Sequence, residues 1–273
     1  MTHEPLLRAM PSQEDLQRLT KIGFRFGDKG THSSRTIMLE ELSLVFKTCP
    51  PDATRDAYAE AILDHNCLGK RTVATRKLSL QRLRELYGLD PNILLFRVLR
   101  GYWELDDQGR PLLALLTALA RDPLLRLTAA PILRMQPGEE LGRQPLTDAI
   151  RAGVDGRLND SIVDKVVRNT AASWTQSGHL KGRGRKIRHH VHPTPIVTTY
   201  ALLLGYILGI RGMGLFESFW ANVLDRPANE LLSQAIDAKR LGLLDLSQAG
   251  GIVDVSFVRT LADDERRLIH GTY

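Results

Sequence analysis

Residues 196–210 contain no charged side chain: they read Ile-Val-Thr-Thr-Tyr-Ala-Leu-Leu-Leu-Gly-Tyr-Ile-Leu-Gly-Ile. The run is shorter than the roughly 20 residues that cross a bilayer. It also holds two threonines and follows Pro193 and Pro195. A helix apolar on all sides must be enclosed by other elements of the chain, so the segment predicts a buried helix rather than a membrane span. Two further stretches, 111–120 and 124–133, are strongly apolar and read as core helices.

The other periodic segments are helical too. They lie at 12–22, 38–47, 54–65, 72–87, 145–152 and 158–176, with a last amphipathic helix at 228–244. In 72–87, Val73, Leu80, Leu83 and Tyr87 share one face, while Arg71, Thr75 and Arg82 fall opposite. Asn159-Asp160-Ser161 offers an N-cap for the helix at 158–176, and Ser177-Gly178 a stop. Strand-like alternation appears only around the glycines of 179–193 and again at 252–258 after Gly250-Gly251. The fold class expected is mainly α, with winged-helix or helix-turn-helix-like units and short β-hairpin wings. The 273 residues suggest two domains. Residues 1–34 form an N-terminal extension and 35–136 a helical, helix-turn-helix-like domain. Residues 145–273 form a winged-helix-like domain with a helical tail, and the Gly-, Pro- and Glu-rich stretch 135–144 is the boundary.

The net charge is +6, which by itself argues for no partner. Its distribution does. Residues 65–84 hold no acid and six cations: Lys70, Arg71, Arg76, Lys77, Arg82 and Arg84. Residues 165–216 hold no acid and eight cations: Lys165, Arg168, Lys181, Arg183, Arg185, Lys186, Arg188 and Arg211. The rest of the chain is therefore net acidic. A carboxylate beside a phosphate would repel it, so two blocks without acids suggest a polyanion partner. A solvated basic face without a partner is the competing reading.

Each block coincides with a plausible recognition unit. The first spans two helices joined by a short turn, the second helix basic on its outer face, as in a helix-turn-helix. The second spans a helix presenting Lys165, Arg168 and Asn169, a glycine stop, and a basic hairpin carrying Lys181, Arg183, Arg185, Lys186 and Arg188. Helix, turn and basic hairpin in that order is the layout of a winged helix. The helix would lie in a groove and the wing on phosphates. A third helix-and-hairpin echo at 228–258 carries Asp237, Asp245 and Asp254, and reads as structural or protein-facing.

Catalytic signatures are scarce. His189, His190 and His192 would be split across two faces of a strand, with no cysteine or carboxylate close by in sequence. A basic strand near phosphate suits them better than a metal site. The loop 23–31 is not a phosphate-binding loop, because Lys29 precedes Gly30 instead of Ser or Thr. Trp103, Trp174 and Trp220 read as core residues, and 6% aromatics argues against a base-stacking surface. Cys49 and Cys67 lack metal spacing and read as reduced thiols of a cytoplasmic protein. Residues 1–20 contain Glu4, Glu14 and Asp15 and are not expected to act as a signal peptide. No cofactor is expected.

The run Asn66-Cys67-Leu68-Gly69-Lys70-Arg71-Thr72-Val73-Ala74-Thr75-Arg76, followed by Leu80, Arg82 and Leu83, resembles the BrxA family of BREX bacteriophage-exclusion systems. That family shows a similar Leu-x-Lys-Arg-Ser/Thr turn before a basic helix. Residues 162–180, with Lys165, Trp174, Gly178 and Leu180, look like its second helix-and-wing unit. The likeness covers roughly 38–192. The chain is longer than typical members at both ends, and 196–273 has no counterpart in it. The resemblance implies a non-enzymatic protein that binds double-stranded DNA beside other defence components, among them a methyltransferase and an ATPase. The expected DNA contacts are Lys70, Arg71, Thr75, Arg76 and Arg82 on one surface. On the other they are Lys165, Arg168, Asn169, Lys181, Arg183, Arg185, Lys186 and Arg188. Two alternatives stay open: an adaptor whose partner is another defence protein, and a sequence-specific transcriptional repressor.

Overall fold

The computed structural model describes residues 12–270. The fold is mainly α. Helix α1 (Gln13–Ile22) begins at Ser12, whose hydroxyl accepts from the Asp15 amide, and ends at Gly23 in a positive-φ conformation. A 3-10 turn (Thr31–Ser33) follows. Then come α2 (Leu39–Thr48), α3 (Arg55–Leu63), α4 (Val73–Tyr87), α5 (Leu94–Leu105) and α6 (Arg110–Arg121). Pro50-Pro51 separates α2 from α3, while Thr54 and Thr72 cap the next two helices. Val73 opens α4 and is 57% exposed, so it does not join the core face with Leu80, Leu83 and Tyr87.

Helix α6 is buried from Leu112 to Arg121. Helix α11 (Pro195–Ile207) is the expected enclosed helix: it packs on α5 and α6 and on two later helices, α12 (Phe219–Asn222) and α13 (Ala228–Arg240). Among the described residues, no helix is long and apolar enough to cross a membrane. The single helix expected over 124–133 is instead two, α7 (Pro123–Leu127) and α8 (Ala129–Arg134). Pro131 has no amide to donate within a continuous helix but fits the first turn of a new one. Thr128, at the junction, accepts the Trp174 indole N–H at 2.9 Å.

Past α8 the chain runs through an extended stretch into α9 (Arg143–Val154) and α10 (Asp160–Gln176). Asn159 is the N-cap of α10. A hairpin of β1 (Leu180–Lys181) and β2 (Ile187–Arg188) follows, with Leu180 opposite Arg188 and Lys181 opposite Ile187. The extended stretch before α9 pairs with β2. The Gly138 amide donates to the Arg188 carbonyl at 2.9 Å, Arg188 to Glu139 at 2.8 Å, and Leu141 to Lys186 at 2.8 Å. The segment expected as a boundary is thus the third line of a small antiparallel sheet.

The same order of elements recurs. After α11 a 3-10 turn (Gly212–Leu215) lies against β4 (Ile252–Ser256). Between them come α12, α13 and β3 (Asp245–Ala249), which pairs antiparallel with β4. Helix α14 (Asp263–His270) closes the described chain against α1. One cluster of buried apolar residues runs from Leu19 to Ile269. Phe24 meets Trp220 edge-on at 6.1 Å, and the Thr117 and Tyr200 hydroxyls lie 2.9 Å apart, so both sides of 135–144 share that core.

Candidate nucleic-acid interface

The start of α4 shows how the local fold consumes polar groups. The Thr72 hydroxyl accepts from the Thr75 amide at 3.2 Å, and the Thr75 hydroxyl accepts from the Thr72 amide at 3.3 Å. This reciprocal capping box commits Thr75 to the helix end. Arg76 turns back and donates to the Leu63 carbonyl at 2.8 Å, bracing the α3–α4 turn. Lys70 pairs with Glu41 of α2 at 3.0 Å. Arg82 pairs with Glu85 at 2.7 Å, and Glu85 also receives Thr31 and Gln81. Burial pushes the Glu85 carboxyl up, but these hydrogen bonds outweigh it and hold the group below its ordinary value. Of the five residues expected on this surface, Arg71 alone is exposed with no hydrogen bond or ion pair among the described residues. Lys77, in the same acid-free block, is exposed in the same way and was not singled out from the sequence.

On the second surface, Lys165 and Arg168 stand exposed on α10, and Lys181 and Arg183 stand exposed on the hairpin, all four unpaired among the described residues. Asp164, just before the acid-free block, is held by Arg143 of α9. Lys186 reaches back to the Thr175 hydroxyl at 2.8 Å, which fastens the hairpin to the end of α10. Arg185 pairs with Glu140 at 2.5 Å. Both ends of that pair are exposed, so salt and a competing phosphate can release it.

Two expected contacts face inward. Asn169 donates to the His32 carbonyl at 2.8 Å. Arg188 has a side chain only 2% exposed, paired with Asp225 and donating to the Ile132 carbonyl at 3.0 Å. Register explains this: Lys181 and Arg183 project from the hairpin into solvent, while the Arg188 position faces the core. Its charge is tolerated there because a carboxylate and several carbonyls receive it. Arg188 therefore holds the hairpin to the loop after α12 and offers nothing to a ligand.

Helices α4 and α10 are linked through the 3-10 turn. Thr31 donates to Glu85 of α4 at 2.7 Å, and His32 Nε2 lies 2.8 Å from the Ser173 hydroxyl of α10. His32 Nδ1 lies 2.9 Å from Asp122. Serine, histidine and aspartate in this order have the form of a nucleophilic relay, but all three are buried. Moreover, the Ser173 hydroxyl donates to the Asn169 carbonyl at 2.8 Å and accepts from the Ile37 amide at 2.9 Å. A nucleophile needs a free hydroxyl and an approach for substrate, so the arrangement acts as a clamp. Burial pushes the Asp122 carboxyl up, and the neighbouring His32 more than offsets this. Among the described residues, no group of three histidine, cysteine or acidic side chains is placed to hold a metal ion.

The resulting surface is a helix and hairpin bearing four unpaired cations, and a second helix bearing Lys77 with Arg71 in the turn before it. Such cations, set where no carboxylate competes, can hold phosphates without reading bases. No protein-family model and no curated protein matches the chain.

Proposed function

We propose that the chain is a non-enzymatic, double-stranded DNA-binding protein that grips mainly the phosphate backbone. The α10–hairpin unit works as a winged helix and α4 as a second contact. The observation that carries this reading is the set of six exposed cations with no protein partner among the described residues: Arg71, Lys77, Lys165, Arg168, Lys181 and Arg183. Topology supports it. Helix, extended strand, helix, helix and hairpin, with the first strand paired to the last, is the winged-helix order, and in that reading α10 is the groove-facing helix. In the setting that the BrxA resemblance implies, a bacterial anti-phage system of the BREX type, the protein would work in the cytoplasm beside other defence components.

A second reading is favoured by one observation. The later unit built on α13 and β3–β4 has the same order of elements but carries Glu230, Asp237, Asp245 and Asp254, three of which hold Arg226, Arg240 and Arg259 in ion pairs, so it offers DNA no block of free cations. That unit suits a protein partner, so the molecule can join DNA to another defence component.

The test is duplex affinity measured against salt. Six phosphate contacts give a log–log slope of about −5, and Lys181→Ala/Arg183→Ala flattens it by about two. Unchanged affinity and slope in that variant would overturn the assignment of the hairpin.

A further inference from the structure

We infer that a phosphate-binding groove crosses the protein between the start of α10 and the outer face of α4, where Arg25, Lys29 and Arg121, all outside the two acid-free blocks, join Lys77, Arg82 and Arg84 of the first. Two open clefts lie side by side. One, of about 460 Å³, is lined by Arg25, Lys77, Arg84 and Arg121. Its neighbour, of about 350 Å³, is lined by Arg25, Lys29 and Arg82, and reaches Leu158 just before α10. Both clefts share Arg25, Gln81 and Glu85, so they form one path.

Charge in this groove is out of balance. The two carboxylates that line it are already engaged: Glu85 by Arg82, Thr31 and Gln81, and Asp28 by Arg157. Arg121 is buried and, among the described residues, donates only to backbone carbonyls, those of Gly23, Arg84 and Glu85. Arg25 donates to the same Glu85 carbonyl at 3.1 Å. The end of a helix supplies roughly half a negative charge, less than the two guanidiniums that converge there. Burial lowers the Arg121 pKa to about 10 and the nearby Arg25 adds to the effect, as expected for a cation short of a counter-ion. The Nε atoms of Arg82 and Arg84 are buried with no hydrogen-bond partner among the described residues. Lys29 and Lys77 stand exposed at the two sides, unpaired among the described residues.

An anion completes this arrangement, and phosphate is the group that such donors fit. The occupant is the backbone of a nucleic acid rather than a small phosphorylated molecule. The path is open along its length and leads from one proposed DNA-contacting helix towards the other. The identity of the polymer rests on the DNA-binding reading above, whereas the charge imbalance does not.

Three proteins separate the two claims: the wild type, Lys181→Ala/Arg183→Ala, and Arg25→Gln/Lys29→Gln. Lys29→Gln alone covers the case in which loss of the Arg25 hydrogen bond disturbs folding. With a short mixed-sequence duplex, the groove pair is expected to flatten the salt slope by about two, and Lys29→Gln by about one. A wild-type slope in both groove variants, with the hairpin variant flattened, overturns the groove and leaves the DNA-binding reading standing. A wild-type slope in the hairpin variant alone overturns the hairpin assignment and leaves the groove standing. Inorganic phosphate is the second probe. Millimolar binding that the groove variants lose, with their duplex slopes unchanged, overturns the polymer assignment in favour of a free phosphate ligand.

Discussion

His179 shows what a single buried side chain does to this protein. Its ring sits edge-on to Trp174, with Nδ1 2.9 Å from the Ser177 hydroxyl and Nε2 2.8 Å from the Val223 carbonyl. A carbonyl only accepts, so the neutral ring carries its proton on Nε2. Burial disfavours the charged form and brings the pKa from 6.5 down to about 4, against the opposing pull of Asp225. Below pH 6.5 the unfolded chain takes up a proton that the folded chain refuses. The stabilisation is therefore complete above pH 6.5 and is lost progressively as pH falls towards 4. A shift of this size corresponds to ~3 kcal/mol. Urea denaturation of the wild type and of His179→Gln between pH 7 and pH 4 should show the wild type losing ~3 kcal/mol more than the variant. Equal losses would contradict a neutral buried ring.

At the scale of elements, the hairpin depends on one glycine and not on its neighbour. Gly182 has φ +112, and a Cβ there would collide with the Arg185 carbonyl oxygen; Gly184 has open space around it. Gly182→Ala should shift the tip that carries Lys181 and Arg183, costing over ~1 kcal/mol of stability and several-fold in duplex affinity. Gly184→Ala should match the wild type in both measurements. If the two variants behave alike, the tip conformation does not matter for binding.

The same hairpin marks where sequence reading worked and where it stopped. The Asn159 cap, the Ser177-Gly178 stop and the glycine-framed basic run are local signals, and α10 with its hairpin lies where they placed it. The role of Arg188 is not local, because Asp225 lies 37 residues away, beyond the acid-free block. Lys70 and Arg76 are likewise spent on α2 and α3. Thr75 was readable, since two threonines three apart at a helix start form a capping box. The groove cations Arg25, Lys29 and Arg121 come from segments with acids close by in sequence, where charge counting along the chain cannot detect them.

At the scale of the whole molecule, the question is whether 35–136 and 145–273 are separate folding units. The contacts between them argue for one. His32 clamps Asp122 to Ser173, α11 packs on α5 and α6, and Tyr102 meets Thr260 at 3.1 Å. Arg97 of α5 pairs with Glu265 of α14 at 2.5 Å. Cutting the chain at 136 would expose apolar surface of α5 and α6 to water, at roughly 25 cal/mol for every Å². The full chain should therefore unfold in urea in one transition. Trp103 on one side of the cut and Trp174 and Trp220 on the other are all buried, so fluorescence reports on both sides. That fluorescence signal should superimpose on the far-ultraviolet dichroism of the helices. Residues 35–136 expressed alone should show no cooperative unfolding. Two separated transitions, together with a cooperative 35–136 fragment, would restore the two-domain division that the composition of 135–144 suggests. The α4 contact would then be free to move relative to the hairpin, instead of being held at a fixed spacing from it.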